Sequence, residues 1–267
     1  MAKVFIIAEA ACTWLHGGLE AAYRSIAAAA ACGASAWKTQ FTSDPLEMGK
    51  RRGMDGEKYR RLAWDPEWHK NLSFDCMKAG LEYMCTTFIP KDIGAVAQYV
   101  KRFKVSAFET KSGDDLSFVK AHKKFKKEVI ASTNGNDCLA ETIGDGHWLK
   151  TLRCVSEYPT PPEKLGLSMM LPQEDSILGL YVPYDGLSDH TTSVLTGAVA
   201  VGAGARIIEK HVRLDDTPED DPDYKHSLPL FQDPYVTVPA KGTNRGIIPA
   251  PWFGDYVRFI REAERML

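Results

Sequence analysis

The chain has 267 residues, 44% of them apolar and 25% charged, and carries a formal net charge of -2. That composition excludes a disordered chain and suffices for one large core or two small ones. No basic stripe interleaved with aromatics recurs, so no nucleic-acid partner is expected; the one basic run, "KKFKK" at 123 to 127, reads as the coat of a helix end. The six cysteines, at 12, 32, 76, 85, 138 and 154, never fall into a CxxC spacing. This argues against a zinc knuckle or redox motif and fits reduced thiols in a cytoplasmic protein. The opening "MAKVFIIAEAAC" is broken by Glu9 and is too short for a signal peptide, and no stretch reaches the length of a membrane span, so no membrane partner is expected.

Short apolar runs alternate with helical patterns along the chain. "VFIIAE" (4 to 9) reads as a strand, and the Ala-rich "EAAYRSIAAAAACG" after it as a helix closing on Gly33. "AWKTQ" (36 to 40) comes next, followed by a polar loop at 41 to 66 and then "EYMCTT" (82 to 87), "VSAFET" (105 to 110) and "EVIAST" (128 to 133). "LKTLRCV" (149 to 155), "YDGLSD" (184 to 189) and "ARIIEKHV" (205 to 212) complete the strands. A second long loop, 212 to 250, precedes "PWFGDYVRFIREAERML", which places Trp252, Tyr256, Phe259, Ile260 and Ala263 on one stripe behind Pro251. Eight strands with helices between them, in a chain of roughly 250 residues, predict an α/β fold: a (β/α)8 TIM barrel, a single domain over 1–267. An open doubly wound sheet is the alternative, but its glycine fingerprint is missing after the first strand, where "EAACTWLHGG" stands. The two long loops read as lids or substrate loops.

In such a barrel the active site lies at the C-terminal ends of the strands. Those ends hold Glu9, Lys38 and Gln40, Thr86 and Thr87, Glu109 with Lys111 and Ser112, Ser132 and Thr133, Ser156, Ser188 with His190, and Glu209 with His211. A full ring of hydroxyls, carboxylates, lysines and imidazoles points to a binding pocket. His190 and His211 end the last two strands, which are neighbours in a closed barrel, so their imidazoles could share a divalent metal. Oxygen co-ligands would favour Mn²⁺ or Mg²⁺, while imidazole also suits Zn²⁺. The alternative is two hydrogen-bonded histidines with no metal. Lys38 and Gln40 on one strand face, with the hydroxyls and N–H groups of "ASTNG" (131 to 135), suit an anion. Each alone also reads as a solvated lysine or a plain turn; together they point to a phosphorylated or carboxylated substrate.

The strand ends resemble those of the N-acetylneuraminate (sialic acid) synthases. "FIIAEAA" is similar to that family's "IIAEIG", "AWKTQF" to its "AVKFQ", and "CTTF" at 85 to 88 is a close match. "SGD" resembles "SGE", "IASTNG" resembles "ILSTG", and "LRCVSEYPTPPEKLGL" resembles "LLHCxxxYPTP". "GLSDHT" and "IIEKHV" are nearly the family's own, and "PDYKHSL" is similar to "PDHxxSL"; the matches run in order from about residue 4 to 230. The resemblance implies a metal-dependent condensation of phosphoenolpyruvate with an open-chain N-acylated hexosamine, N-acetylmannosamine or a relative, giving a nonulosonic acid and phosphate in a homodimeric enzyme. It implies His190 and His211 as metal ligands, and Lys38, Ser112, Ser132 and Ser188 as the groups that hold phosphoenolpyruvate. It further implies Glu9 as the residue that positions or deprotonates the attacking water. Tyr158, Asp223 and Glu209 match positions that hold the sugar or support the metal, Tyr158 and Asp223 joining Glu9 in the catalytic set, while Gln40, Thr87 and Ser156 complete the substrate-facing groups.

Three departures shape further expectations. Set on "FETKSGD" (108 to 114), the family's "FKIASGE" puts Glu109 where a phosphate-binding lysine is expected, so Lys111, two residues on, is expected to take the anion and pair with Glu109. "EAACTWLHGG" lacks the family's "NHNG" and Ser156 stands where Asn is usual; both are expected to face substrate and so to alter the acceptor sugar. The sequence stops at the last barrel helix, without the small antifreeze-like C-terminal domain of typical members, so the 212 to 250 segment or a separate protein is expected to complete the sugar site. The competing reading is a divergent barrel that binds a sugar or sugar phosphate without catalysis; a metal-dependent isomerase or aldolase is a third.

Overall fold

Eight short apolar runs form the strands of a closed parallel barrel: β1 (Phe5–Ala11), β2 (Ala36–Phe41), β3 (Glu82–Thr87), β4 (Phe103–Val105), β5 (Val129–Thr133), β6 (Leu149–Cys154), β7 (Gly186–Asp189) and β8 (Ile207–Arg213). Each pairs with the next in chain order, and β8 returns to β1 with Phe5 opposite Ile207 and Glu9 opposite His211. The barrel is therefore shut, as expected, and the open-sheet alternative is excluded. The structure is a computed structural model that describes residues 3–110, 116–134, 148–171, 173–175, 179–181, 184–231, 237–239, 247–249 and 252–267.

Helices cover the outside: α1 (Gly18–Ala31), α2 (Pro45–Arg52), α3 (Trp68–Lys78), α4 (Pro90–Ala97), α5 (Ser117–Ala121), α6 (Thr196–Gly202) and α7 (Phe253–Met266). The Ala-rich α1 stops where expected. Gly33 takes φ 87°, a conformation costly for residues with a Cβ, and its N–H and that of Ala34 donate to Ala30 O and Ala29 O. Within the 41 to 66 loop, Asp44 caps α2 by accepting from Glu47 N–H at 3.0 Å, with Pro45 in the first turn and Gly53 closing it in the left-handed region. In α7 the buried stripe is Phe253, Tyr256, Val257 and Ile260. Phe259, expected on it, is half-buried, because a helix beginning at Phe253 turns i, i+3, i+4 and i+7 from there toward the barrel.

The fourth strand differs from expectation. Only Phe103, Lys104 and Val105 pair, with Val129, Ile130 and Ala131 of β5, and Ala107–Thr110 is a 3-10 turn, not the end of a strand. This shift changes which side chains point inward.

Inside the barrel, alternation with a period of two builds stacked layers. The lowest is apolar: Ile7, Ala36, Met84, Ile130, Leu152 and Ile207, closed below by Phe5. Gly186 belongs to this level, paired with Leu152 and Ile207, and a Cβ there would lie 1.8 Å from Ile207 O, so only glycine lets β7 sit this close to β8. The larger core lies between strands and helices, with Trp37, Phe41, Phe103, Ile208 and Tyr256 in it. One step up the inner face, side chains turn polar, and the candidate site begins.

Candidate active site

Two residues beyond the apolar layer, each strand contributes one inward group: Glu9, Lys38, Thr86, Lys104, Ser132, Cys154, Ser188 and Glu209, all buried. They form the floor of a cavity of about 270 Å³. The next inward positions, Gln40, Ser106, Ser156, His190 and His211, make its wall, with Arg52 reaching in from the end of α2 and Tyr158 from a loop.

The floor is a continuous set of charge pairs. Lys38 Nζ lies 2.6 Å from Glu9 Oε2 and 3.5 Å from Glu209 Oε2, and donates to Thr86 Oγ1 at 2.9 Å. Lys104 Nζ donates to Ser132 Oγ at 2.8 Å and lies 3.6 Å from Glu209 Oε1, which also accepts from Ser188 Oγ at 3.0 Å. Gln40 Nε2 donates to Glu9 Oε1 at 2.9 Å. Ions this deep are tolerable only when paired and hydrogen-bonded. Burial pushes the Glu9 carboxyl up to about 7, with Lys38 opposing the rise and Glu209 adding to it. Burial alone would raise Glu209 too, but the ammonium groups of Lys104 and Lys38 hold it below the ordinary carboxylate range. Burial lowers Lys104 even against the pull of Glu209, whereas for Lys38 the two carboxylates outweigh burial and raise it. Glu9 is thus the floor's most protonatable acid.

The histidines stand above. His190 and His211 have ring centroids 5.3 Å apart, and His226, from the 3-10 turn Tyr224–His226, is 4.5 Å from His211 and 6.1 Å from His190. Tyr158 packs its ring on His190 at 4.3 Å and His226 at 5.0 Å. His190 Nδ1 meets Val155 O at 2.9 Å, which leaves Nε2 for a ligand. Burial brings His190 down to about 4, with the Val155 bond opposing and His226 adding; burial, His226 and His190 hold His211 well below the usual imidazole range. Both rings are neutral at pH 7, the form that ligates metal. Beneath them Asp189 and Lys210, each one residue before a histidine, pair at 3.1 Å out of contact with solvent, and Tyr256 of α7 donates to Asp189 Oδ2 at 2.9 Å. That pair fixes the relative register of the two histidines from behind.

Asp223 sits beside the histidine rim, Oδ1 lying 3.3 Å from His226 Nε2 and 3.9 Å from His211 Nδ1, and its Oδ2 accepts from the Cys12 thiol at 3.3 Å. Its turn is anchored by an ion pair between Arg61 and Asp221 and by Asp223 N–H donating to Asp221 Oδ1 at 2.9 Å.

Of the residues expected from sequence, Glu9, Lys38, Gln40, Ser132, Ser156, Tyr158, Ser188, Glu209, His190 and His211 converge on the cavity, with Asp223 just behind the rim. Three expectations change. Thr87 does not line the cavity: Met84 is inward, so Thr86 is inward and Thr87 turns toward the helices. Lys111 and Ser112 lie outside the described residues. Glu109 does not line the cavity; its carboxylate is held by Arg52, whose Nη2 and Nε donate at 2.7 and 3.0 Å, and by the Ser106 hydroxyl. "FKIASGE" fits this chain without gaps on "FKVSAFE" (103 to 109), which puts Lys104 at the lysine and Glu109 at the glutamate. Finally, "CTWLHGG" does not face the cavity: Trp14 is buried among Trp37, Trp64 and Trp68. Sequence reading also missed His226, Arg52 and Arg61: Arg52 ends α2 and the other two sit in 3-10 turns, with no strand period to mark them.

The model of the NeuB family matches residues 25–232. The chain belongs to the NeuB family. Among curated relatives, the pseudaminic acid synthase of Campylobacter jejuni is 32% identical over 251 residues, covering 85% of this chain and 69% of the relative. The N,N'-diacetyllegionaminic acid synthase of the same organism is 28% identical, covering 85% and 72%. Among solved structures, the N-acetylneuraminic acid synthetase of Leptospira borgpetersenii, crystallised with citrate, superposes with a TM-score of 0.75 at 21% identity over 99% of this chain and 84% of that one, a likeness of fold. Among the described residues no helix is long and apolar enough to cross a membrane.

Proposed function

We propose that this NeuB-family barrel is a nonulosonic acid synthase: it condenses phosphoenolpyruvate with an open-chain N-acylated amino sugar and releases phosphate. Its relatives' names point to that product class. The observation that carries the reading is the floor, where Lys38 and Lys104 stand side by side with the Thr86, Ser132 and Ser188 hydroxyls under a rim of neutral imidazoles. Two ammonium groups with hydroxyl donors match a phosphate and a carboxylate. The departure at Glu109 does not argue for a lapsed barrel, since Glu109 is turned to Arg52 and Lys104 occupies the lysine position.

In this reading Lys38, Lys104, Ser132 and Ser188 clamp phosphoenolpyruvate. Gln40, Ser156 and Tyr158 face the sugar. His190 and His211, neutral and each with a ring nitrogen to give, would hold a divalent metal, which when bound polarises the sugar aldehyde. The C3 carbon of phosphoenolpyruvate then bonds to the aldehyde carbon as the aldehyde oxygen takes up a proton, water adds at C2, and the C2–O bond to phosphate breaks as the new C2 hydroxyl loses its proton to leave the ketone. Glu9, ionised, takes the water's proton. The test is phosphate release from phosphoenolpyruvate with Mn²⁺ and a panel of N-acylated hexosamines, 2,4-diacetamido sugars included. Release that requires one sugar and falls by about 10³-fold or more in His190→Ala is expected. No release with any sugar would overturn the reading.

A further inference from the structure

The cavity rim holds more metal-ligating atoms than a two-histidine site uses. One atom each from His211, Asp223 and His226 lies within 4.8 Å of the other two. His211 and His226 are 5% and 2% exposed, and no hydrogen bond of good geometry reaches His211 Nδ1 or His226 Nε2. Buried imidazole nitrogens without partners are rare, because each forfeits its bond to water. Both face Asp223 Oδ1, at 3.9 and 3.3 Å, and Asp223 Oδ2 is already taken by the Cys12 thiol. Atoms that ligate a first-row ion at 2.0–2.2 Å stand about 3.0–3.6 Å from one another, so this spacing is close to that of ligands around one ion.

A second group, Cys12 with Asp221 and Asp223, shares the same aspartate but is a different case. Arg61 Nη2 pairs with the Asp221 carboxylate and donates to Cys12 O at 3.2 Å, so the protein's own guanidinium supplies the cation there. No Lys or Arg does so between the two histidines and Asp223 Oδ1, among the described residues.

We infer that His226 and Asp223, together with His211, ligate a divalent transition-metal ion as a protein-supplied imidazole–carboxylate set. The inference deepens the proposed synthase and rests on that reading for the ion's use, but not for its binding. Three protein ligands hold an ion before any substrate arrives, and a set rich in imidazole prefers Mn²⁺, Co²⁺ or Zn²⁺ to Mg²⁺, which favours oxygen and its own waters.

The test titrates the metal-stripped full chain with Mn²⁺ and Zn²⁺ by calorimetry, without phosphoenolpyruvate or sugar. Saturable binding at one site is expected, weakened about 10- to 100-fold in His226→Gln and not displaced by equimolar Mg²⁺. Wild-type affinity in His226→Gln, or displacement by equimolar Mg²⁺, would overturn it. Should His226→Gln not fold, wild-type protein labelled with ¹⁵N-histidine decides: substoichiometric Mn²⁺ broadens the His226 ring signals together with those of His211, and His226 signals that stay sharp sink the inference. Ion binding that depends on His226 without phosphate release from any sugar leaves this site standing and removes only the synthase; phosphate release with unchanged ion affinity in His226→Gln does the reverse.

Discussion

The floor and the rim of this cavity solve the cost of burying polar groups in opposite ways. On the floor, Glu9, Lys38, Lys104 and Glu209 neutralise one another within 3.6 Å, and the hydroxyls of Thr86, Ser132 and Ser188 fill remaining bonds. At the rim, burial keeps His190 and His211 uncharged, and His211 and His226 keep nitrogens unbonded. A self-satisfied cluster is pre-organised: an anion can displace one set of partners for another with little movement. An unsatisfied cluster is poised for something that supplies a positive charge. The difference teaches that one end of the cavity is built to exchange partners and the other to acquire one.

The sharpest way to break that contrast is Lys104→Ala. It leaves Glu209 with Lys38 alone at 3.5 Å, and removal of one member of a buried ion pair costs about 3–5 kcal/mol of stability. In protein that remains folded, kcat/KM for phosphoenolpyruvate is expected to fall by about 10²–10³-fold, while metal affinity stays within about twofold of wild type. Loss of metal binding with phosphoenolpyruvate kinetics intact would mean that the division between floor and rim is wrong.

A smaller effect separates the two ends by pH. His190, down to about 4, and His211, well below its usual range, stay neutral where Glu9, up at about 7, titrates. A raised carboxyl is protonated below its folded pKa and ionised above it. With ionised Glu9 as the base, kcat/KM is expected to rise about tenfold per pH unit up to about 7 and then level. A pH–rate profile in wild type and Glu9→Gln checks this: the variant's residual activity should lack that limb. A limb that survives in Glu9→Gln would assign the titration elsewhere.

How much of this was legible in the sequence depended on length and period. Seven strands were readable because apolar runs of four to eight residues ended in polar groups, and the helix stop at Gly33 because only a left-handed residue fits there. β4 was misplaced because three residues are too few to set a phase. "VSAFET" looked strand-like on composition, and the lysine that matters, Lys104, was counted as lying before the strand. Once Phe103 pairs with Val129, Lys104 is inward and Glu109 is in a turn. His226 and Arg52 were not legible, since a 3-10 turn and the end of a short helix carry no strand alternation. The one hint was that "PDYKHSL" holds its histidine two places beyond that of "PDHxxSL".

The same phase argument yields the smallest and most discriminating prediction, at "CTT". Both threonines of β3 are buried, 2% and 1% exposed, so burial does not distinguish them. Inwardness does: Thr86 is two residues from Met84 of the inner layer and accepts a hydrogen bond from Lys38 at 2.9 Å, while Thr87 faces the helices. A hydrogen bond to a charged group contributes about 1.5 kcal/mol, so Thr86→Val is expected to lower kcat/KM for phosphoenolpyruvate by about tenfold. Thr87→Val, nearly the same shape and equally buried, should stay within about twofold. Steady-state kinetics of the two variants side by side measures this. Equal losses would mean that the floor's ion pairs do not need their hydroxyl partners, and the greater loss in Thr87→Val would reverse the face of β3 that meets the substrate.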